Sequence, residues 1–372
     1  MTEAKYMLRA IELAIKAIGF TNPNPMVGAV IVKDGRIIGE GYHERCGQLH
    51  AERNAIASLT EAAEGATIYV TLEPCCHYGK TPPCTEAIIE NKIAKVVIGS
   101  RDPNPLVAGK GARLLREQGI EVVEDFMRDE CDAINPVFFH YITTKKPYVV
   151  MKYAMTMDGK IATTTGESKW ITGEEARAHV QILRGNYSAI MAGIGTVLAD
   201  DPMLNCRAEG MHQPVRVVMD SGLRIPIESQ LVQTAKEYRT IVCCCEADDK
   251  EAQDQKVEVL EAAAVQVVKF PGTRLDITTV FDYLGEQNID SVLVEGGGIL
   301  NESVMKSGYV KRVYAYVAPK MFGGKDALSP VEGEGITTIN DACHFELKNT
   351  KKIGDDVLLV YDAKRGTVCL QE

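Results

Sequence analysis

The chain has 372 residues, 45% of them hydrophobic and 25% charged, with a formal net charge of −10. That length suits two domains, each able to bury a core, and the composition is that of a soluble globular protein rather than a disordered or disulfide-stapled one. Residues 1–145 carry 16 basic and 19 acidic side chains and the remainder 25 and 32, so neither part offers the basic face that a nucleic-acid backbone demands.

Residues 3–19 read as an amphipathic helix with charges throughout, not as a secretory leader, and no apolar run approaches the ~18 residues of a membrane span. A cytoplasmic protein with no membrane or nucleic-acid partner is expected. Strands follow at 27–32 and 37–41, joined at Lys33-Asp34-Gly35-Arg36, where Asp-Gly is a preferred two-residue hairpin turn. Residues 51–59 are helical, 67–71 a strand, 85–91 a helix, 95–99 a strand, 111–118 a helix and 120–124 a strand. This order predicts a mixed sheet covered by helices.

Within that frame lies His50-Ala51-Glu52, followed by Pro74-Cys75 and, nine positions on, Cys84. One imidazole and two thiolates can fill three of the four tetrahedral positions of a zinc ion and leave the fourth for water. H-x-E followed by P-C-x-x-C is the signature of zinc nucleobase deaminases; the first half matches here, and the second departs in its longer cysteine spacing. Pro83 opens a helix at Cys84, whose dipole favours the thiolate. Glu52 would take a proton from the zinc-activated water and pass it to a ring nitrogen and the departing amine. The alternative is a closed structural zinc site with Cys76 or His77 as fourth ligand, which has no use for a carboxylate beside the histidine. Asn24, in Asn22-Pro23-Asn24-Pro25, could meet a base edge, and His43, His77 and Lys80 could hold an anionic substituent such as a phosphate.

From 125 the pattern becomes a polar helix and a connector ending at Lys145-Lys146-Pro147, which sets the domain boundary at 145/146. Strands are then expected at 148–154, 189–192, 215–220, 240–245, 291–294, 313–319 and 357–361, helices at 176–184 and 278–287, and a turn at 351–356. Eleven cysteines in so long a chain, an odd number, fit a reducing compartment, and Cys243-Cys244-Cys245 read as part of a buried strand. Two tight turns stand out, Gly193-Ile194-Gly195-Thr196 after one strand and Glu295-Gly296-Gly297-Gly298 leading from another into a helix. Such turns let a phosphate approach free N–H groups, but neither is a G-x-G-x-x-G fingerprint.

Taken together, Asn24-Pro25-Met26-Val27-Gly28, His50-Ala51-Glu52, Thr71-Leu72-Glu73-Pro74-Cys75 through Thr81-Pro82-Pro83-Cys84, Asp102-Pro103-Asn104-Pro105, Lys160-Ile161-Ala162, Ser168-Lys169-Trp170-Ile171-Thr172, Gly193 to Val197, Asp200-Asp201-Pro202 and Glu295-Gly296-Gly297 resemble the bifunctional riboflavin-biosynthesis deaminase–reductase family. The long cysteine spacing is that family's own form. The resemblance implies a cytidine-deaminase-like three-layer α/β/α domain with a mixed sheet at 1–145 and a dihydrofolate-reductase-like α/β domain at 146–372. It implies zinc-hydroxide hydrolytic deamination of 2,5-diamino-6-ribosylamino-4(3H)-pyrimidinone 5′-phosphate, then NADPH reduction of the ribosyl group to ribityl. His50, Cys75 and Cys84 would hold one zinc ion per chain, with Glu52 as proton shuttle. Asn24, His43, His77 and Lys80 match positions that hold the deaminase substrate. Lys152, Ser168, Arg184, Leu204, Arg207 and Glu295 match reductase-substrate positions. Ala154, Trp170, Thr196, Asp200, Ser221, Gly297, Gly298, Ile299, Leu300, Asn301, Glu302 and Ser303 match cofactor positions. A homo-oligomer is expected. The competing readings are a zinc deaminase whose second domain only binds or reduces another substrate, an RNA-editing deaminase, which the acidic charge disfavours, and a purely structural zinc protein.

Overall fold

The computed structural model describes residues 3–78, 82–104 and 108–364. Two compact units divide the chain, Met1–Lys145 and Lys146–Glu372.

In the first unit the elements run α1 (Ala4–Ile15), β1 (Gly28–Lys33), β2 (Arg36–Tyr42), α2 (Ala51–Ala57), β3 (Thr67–Leu72), α3 (Cys84–Glu90), β4 (Lys95–Ser100), α4 (Lys110–Glu117), β5 (Glu121–Val123), α5 (Arg128–Ala133) and α6 (Pro136–Thr144). They form a five-stranded sheet of order β2-β1-β3-β4-β5, antiparallel about β1 and parallel from β3 to β5. The β1–β2 hairpin turns on Asp34 and Gly35, both at positive φ (48° and 75°), the geometry for which Asp-Gly is selected. Ile31, Ile68, Ile88, Ile98 and Leu115 are fully buried where helices cover the sheet. Helix α1 lies directly on β1: a Cβ added at Gly28 would stand 1.9 Å from the Ala10 carbonyl oxygen. The expected helix over 3–19 stops at Ile15, the expected polar helix after 125 is α5, and the expected connector folds as a second short helix, α6.

The second unit runs β6 (Tyr148–Thr156), α7 (Glu174–Asn186), β7 (Ala189–Gly193), α8 (Ile194–Asp200), β8 (Val215–Met219), α9 (Gln230–Gln233), β9 (Thr240–Cys245), α10 (Lys250–Ala262), β10 (Val265–Phe270), α11 (Ile277–Glu286), β11 (Ser291–Val294), α12 (Gly298–Lys306), β12 (Val310–Ala318), β13 (Phe345–Ile353) and β14 (Asp356–Ala363). Its nine strands lie in the order β10-β9-β8-β7-β11-β6-β12-β14-β13. All neighbours are parallel except β12–β14 and β13–β14. Strands covered on both faces need near-continuous apolar runs, and Val149, Ile190, Val217, Ile241 and Val292 are fully buried. Cys243, Cys244 and Cys245 are buried in β9 as free thiols.

Two expectations need correction. The segment 351–356 is not a turn throughout, because β13 continues to Ile353 and only residues 354 and 355 separate it from β14. Its sequence FELKNTKKI is polar because β13 is the sheet edge, exposed along most of its length, where lysines discourage further strand pairing. Residues 193–196 are more than a tight turn, since Gly193 caps a helix that runs on to Asp200.

Candidate active sites

In the first unit, the β-sheet delivers its functional groups at strand ends and helix starts, as open α/β sheets do. His50 caps α2 in an extended conformation, which puts Glu52 in the first helical turn and both side chains on the same end. Cys75 follows β3, and Cys84 is the first residue of α3, with Pro83 as its cap. The three ligand atoms all lie within 4.8 Å of one another, and each cysteine Sγ stands 3.4 Å from His50 Nδ1. Bond lengths of about 2.3 Å to sulfur and 2.0–2.1 Å to nitrogen at tetrahedral angles put such edges near ~3.6 Å. The donor set therefore fits zinc. Among the described residues no other His, Cys, Asp or Glu joins the group, so neither Cys76 nor His77 closes the fourth position.

Protein contacts hold these segments in place. Arg53 donates to the carbonyls of Pro82 (3.1 Å) and Pro83 (2.8 Å), tying α2 to the start of α3. The Thr85 N–H donates to the Cys75 carbonyl at 3.2 Å. The Glu73 carboxylate accepts from Gly109 N (2.9 Å) and Ala112 N (3.2 Å), which anchors the end of β3 on α4 just before Cys75.

The electrostatics follow from this crowding. A hydrogen bond from the Cys84 thiol and another from His50 hold Cys75 down to about 4 despite its burial, and the proton they share leaves Cys84 high. Hydrogen bonding to Cys75 raises His50. Glu52 is 3% exposed, and burial followed by the Cys75 charge raises its carboxyl above the ordinary range. That is the direction a proton-carrying group needs.

Of the expected substrate contacts, Asn24 and His43 join the centre. The His43 ring meets the His50 ring edge to face at 5.3 Å, and its two nitrogens face the Leu49 carbonyl (3.0 Å) and the Asn24 amide nitrogen (3.3 Å). A carbonyl only accepts and an amide nitrogen only donates, so Nδ1 carries the proton, Nε2 accepts, and the ring is neutral. Burial lowers its pKa in the same direction. His77 is exposed, and Lys80 lies outside the described residues.

The second unit opens a cavity of about 1040 Å³ above the C-terminal ends of β6, β7, β8 and β11. At its floor Glu295, directly after β11, receives Arg184 from α7 in a bidentate pair (2.7 and 3.1 Å) and Lys152 from β6 at 3.4 Å. Burial alone would push the Glu295 carboxyl up, but Arg184 and Lys152 prevail and hold it at about 2. Ser168 Oγ donates to Asp200 at 3.3 Å. Trp170 is 62% exposed on the rim with the Arg177 guanidinium 4.8 Å from its ring centre, so it is no core filler. Ala154, Thr196, Ser221, Gly297, Gly298, Ile299, Leu300 and Ser303 line the same space, as do Leu204 and the exposed Arg207. Leu204 sits at a φ of 45° on a segment whose Met203 carbonyl accepts from the buried Arg216 at 3.2 Å. Asn301 and Glu302 do not line the cavity. Asn301 donates to the Pro330 carbonyl (2.8 Å), and Glu302 accepts from Gly335 N (3.1 Å), so both anchor α12 to the 330–335 segment.

Comparisons with known proteins align with this arrangement. Residues 147–359 match the RibD C-terminal domain, and residues 1–100 match the cytidine and deoxycytidylate deaminase zinc-binding region. The riboflavin biosynthesis protein RibD of Actinobacillus pleuropneumoniae is 58% identical over 363 residues, covering 97% of this chain and 95% of that protein. The chain belongs to the RibD family of riboflavin biosynthesis proteins. Acinetobacter baumannii RibD superposes with a TM-score of 0.87 at 35% identity, covering 98% of this chain and 99% of the other. A Thermotoga maritima diaminohydroxyphosphoribosylaminopyrimidine deaminase/5-amino-6-(5-phosphoribosylamino)uracil reductase gives 0.86 at 39% identity with the same coverage.

Glu73 and Arg53 have structural roles that the motifs alone do not reveal, although the place of Arg53 beside Glu52 on α2 is a signal. Asn135 has none. Its side chain receives Met26 N–H and donates to Met26 carbonyl, both at 2.8 Å, and so fixes the Asn24 segment from 109 positions away.

Proposed function

We infer that this chain deaminates 2,5-diamino-6-ribosylamino-4(3H)-pyrimidinone 5′-phosphate in its first unit (1–145) and reduces the ribosyl group of the product to ribityl with NADPH in its second (146–372). The observation that carries the reading is the three-atom cluster of His50, Cys75 and Cys84 with the buried Glu52 carboxyl beside it. Zinc, when bound there, acidifies water to a pKa of about 7. Glu52, its proton affinity raised by burial, would take one proton from the attacking water and hand it to the ring nitrogen, then carry the second, from the new hydroxyl, to the amine that leaves as ammonia. Asn24 offers an amide to the base, and the neutral His43 fixes where that amide points. His77 and Lys80 take the phosphate end.

In the second unit NADPH supplies the hydride. A cavity of about 1040 Å³ has room for a dinucleotide beside a sugar phosphate. Thr196, Asp200, Ser221, Ala154, Trp170 and the turn at Gly297 and Gly298 flank the cofactor. Glu295, kept ionised by Arg184 and Lys152, orients the ammonium of Lys152, whose remaining N–H donors hold the opened sugar. Ser168, Leu204 and Arg207 border the sugar phosphate. Free small-molecule substrates, a homo-oligomeric assembly and a cytoplasmic setting complete the reading. No helix among the described residues is long and apolar enough to cross a membrane.

The test is to incubate the purified protein with the diaminopyrimidinone phosphate and NADPH. Ammonia release and NADPH consumption in equal amounts are expected. Ammonia without NADPH consumption would support a deaminase whose second unit serves another substrate, and absence of both would discard the reading.

A further inference from the structure

We propose that Arg216 is the positioning residue of the sugar-phosphate wall in the second unit: from inside the core it holds residues 201–205 in the bend that presents Leu204 and Arg207 to the cavity. The proposal rests on the reductase reading above and adds a residue that touches neither substrate nor cofactor. Arg216 is the second residue of β8, has no exposed surface and does not line the cavity.

A guanidinium taken out of water needs a counter-ion or an oxygen for each of its five N–H donors. Arg216 has the oxygens. Its Nε donates to Thr240 Oγ1 at 3.0 Å, and Nη2 donates to the carbonyls of Leu231 (2.8 Å) and Tyr238 (3.1 Å). Nη1 donates to Thr234 Oγ1 (2.8 Å) and to the Met203 carbonyl (3.2 Å). All of these oxygens are neutral. Burial lowers the guanidinium to about 10, so it stays cationic at neutral pH. A core that needed only filling would be served as well by an aliphatic side chain. Four of the partners lie within residues 231–240, and the fifth, Met203, lines the cavity.

The segment it reaches is bent where the sugar phosphate would lie. Leu204 has a φ of 45°, a left-handed conformation that a branched side chain keeps only when its surroundings impose it. Here carbonyls at alternate positions are anchored. Asp201 accepts from Gln230 Nε2, Met203 from Arg216, and Asn205 from Arg184 Nη1 at 3.1 Å. Arg184 also grips Glu295, so wall and floor share an anchor. Past the bend the Arg207 N–H donates to Gln181 Oε1 at 2.9 Å, and the Arg207 side chain is left exposed at the cavity. Arg216 supplies the anchor immediately before Leu204. Lysine in its place would keep the charge, but its donors radiate from one point and cannot span the 231–240 oxygens and Met203 together.

The experiment is steady-state NADPH oxidation by the full chain with the deaminated sugar phosphate, for R216K and T234V, alongside calorimetric NADPH binding and urea unfolding. R216K is expected to raise KM for the sugar phosphate roughly 10- to 100-fold, with kcat changed less and NADPH affinity changed by less than about twofold. T234V removes another oxygen from the same guanidinium and leaves the Met203 bond, so it should lower stability while moving KM by less than about twofold. Equal KM rises in the two variants would mean a generally loosened core and would overturn the proposal. Equal losses of sugar-phosphate and NADPH binding, or an unchanged KM in R216K, would overturn it too. Should R216K not fold, Q230A decides in its place, because it removes the neighbouring anchor from an exposed position: KM should rise, and an unchanged KM would overturn the proposal. No NADPH oxidation by the unaltered chain would instead refute the reductase reading itself.

Discussion

Replacing Glu295 with Gln tests the electrostatic heart of the second unit. The side chain is 9% exposed, and its partners Arg184 and Lys152 are 13% and 14% exposed, so solvent screens the group little. A carboxyl held at about 2 instead of 4.5 corresponds to about 3 kcal/mol of stabilisation at 1.36 kcal/mol per pH unit. The same size is expected when one member of a buried ion pair is removed and two cations lose their counter-charge. The sign is fixed by the lowered pKa. The contribution is complete above 4.5 and disappears as pH falls from 4.5 through about 2. Urea unfolding followed by the fluorescence of Trp170, the chain's single tryptophan, reports on this unit alone. The Gln variant should therefore be about 3 kcal/mol less stable at neutral pH, and the gap should narrow in acid. A gap below about 1 kcal/mol at neutral pH, the range of exposed pairs, or one that persists in acid, would refute the assignment of Glu295 as a buried counter-ion.

Three further outcomes are expected. Glu52→Gln should keep one zinc per chain by elemental analysis while ammonia release falls by about 10²- to 10⁴-fold; surviving activity would give Glu52 another task. Cys84→Ser should lower zinc content well below one per chain, and a variant that retained full zinc would remove Cys84 from the ligand set. Gly28→Ala places a methyl 1.9 Å from the Ala10 carbonyl oxygen, a backbone atom that cannot step aside. It should cost about 1–3 kcal/mol in the first unit, and an unchanged Tm would show that α1 yields.

How much of this was legible in the sequence depended on whether a signal was local. The hairpin at Asp34-Gly35 announces itself because positive φ at two successive positions restricts the residues allowed. The candidate metal ligands were legible because few chemistries require His50, Glu52, Cys75 and Cys84 in one unit. Strand β13 was missed because an edge strand sheds the apolar alternation that marks a half-buried one, leaving Lys348, Lys351 and Lys352 in a run that looks like a turn. Helix α8 was hidden because its glycines at 193 and 195 resemble a bend, whereas Gly193 only caps it. Arg216 and Asn135 are illegible for another reason. Their value lies in carbonyls and amides gathered by the fold from distant segments, and nothing nearby in the chain records that.

The bonds from Arg53 to the Pro82 and Pro83 carbonyls, and from Thr85 to the Cys75 carbonyl, have a bearing on how the ion is acquired. A site whose ligands are scattered in the unbound chain must spend binding energy on ordering it, and chelation then unravels the fold. Here the scaffold itself clamps the donor-bearing segments together, so an ion held by the proposed ligands would enter a socket already shaped to receive it. Exchange of one divalent ion for another there would leave the backbone standing.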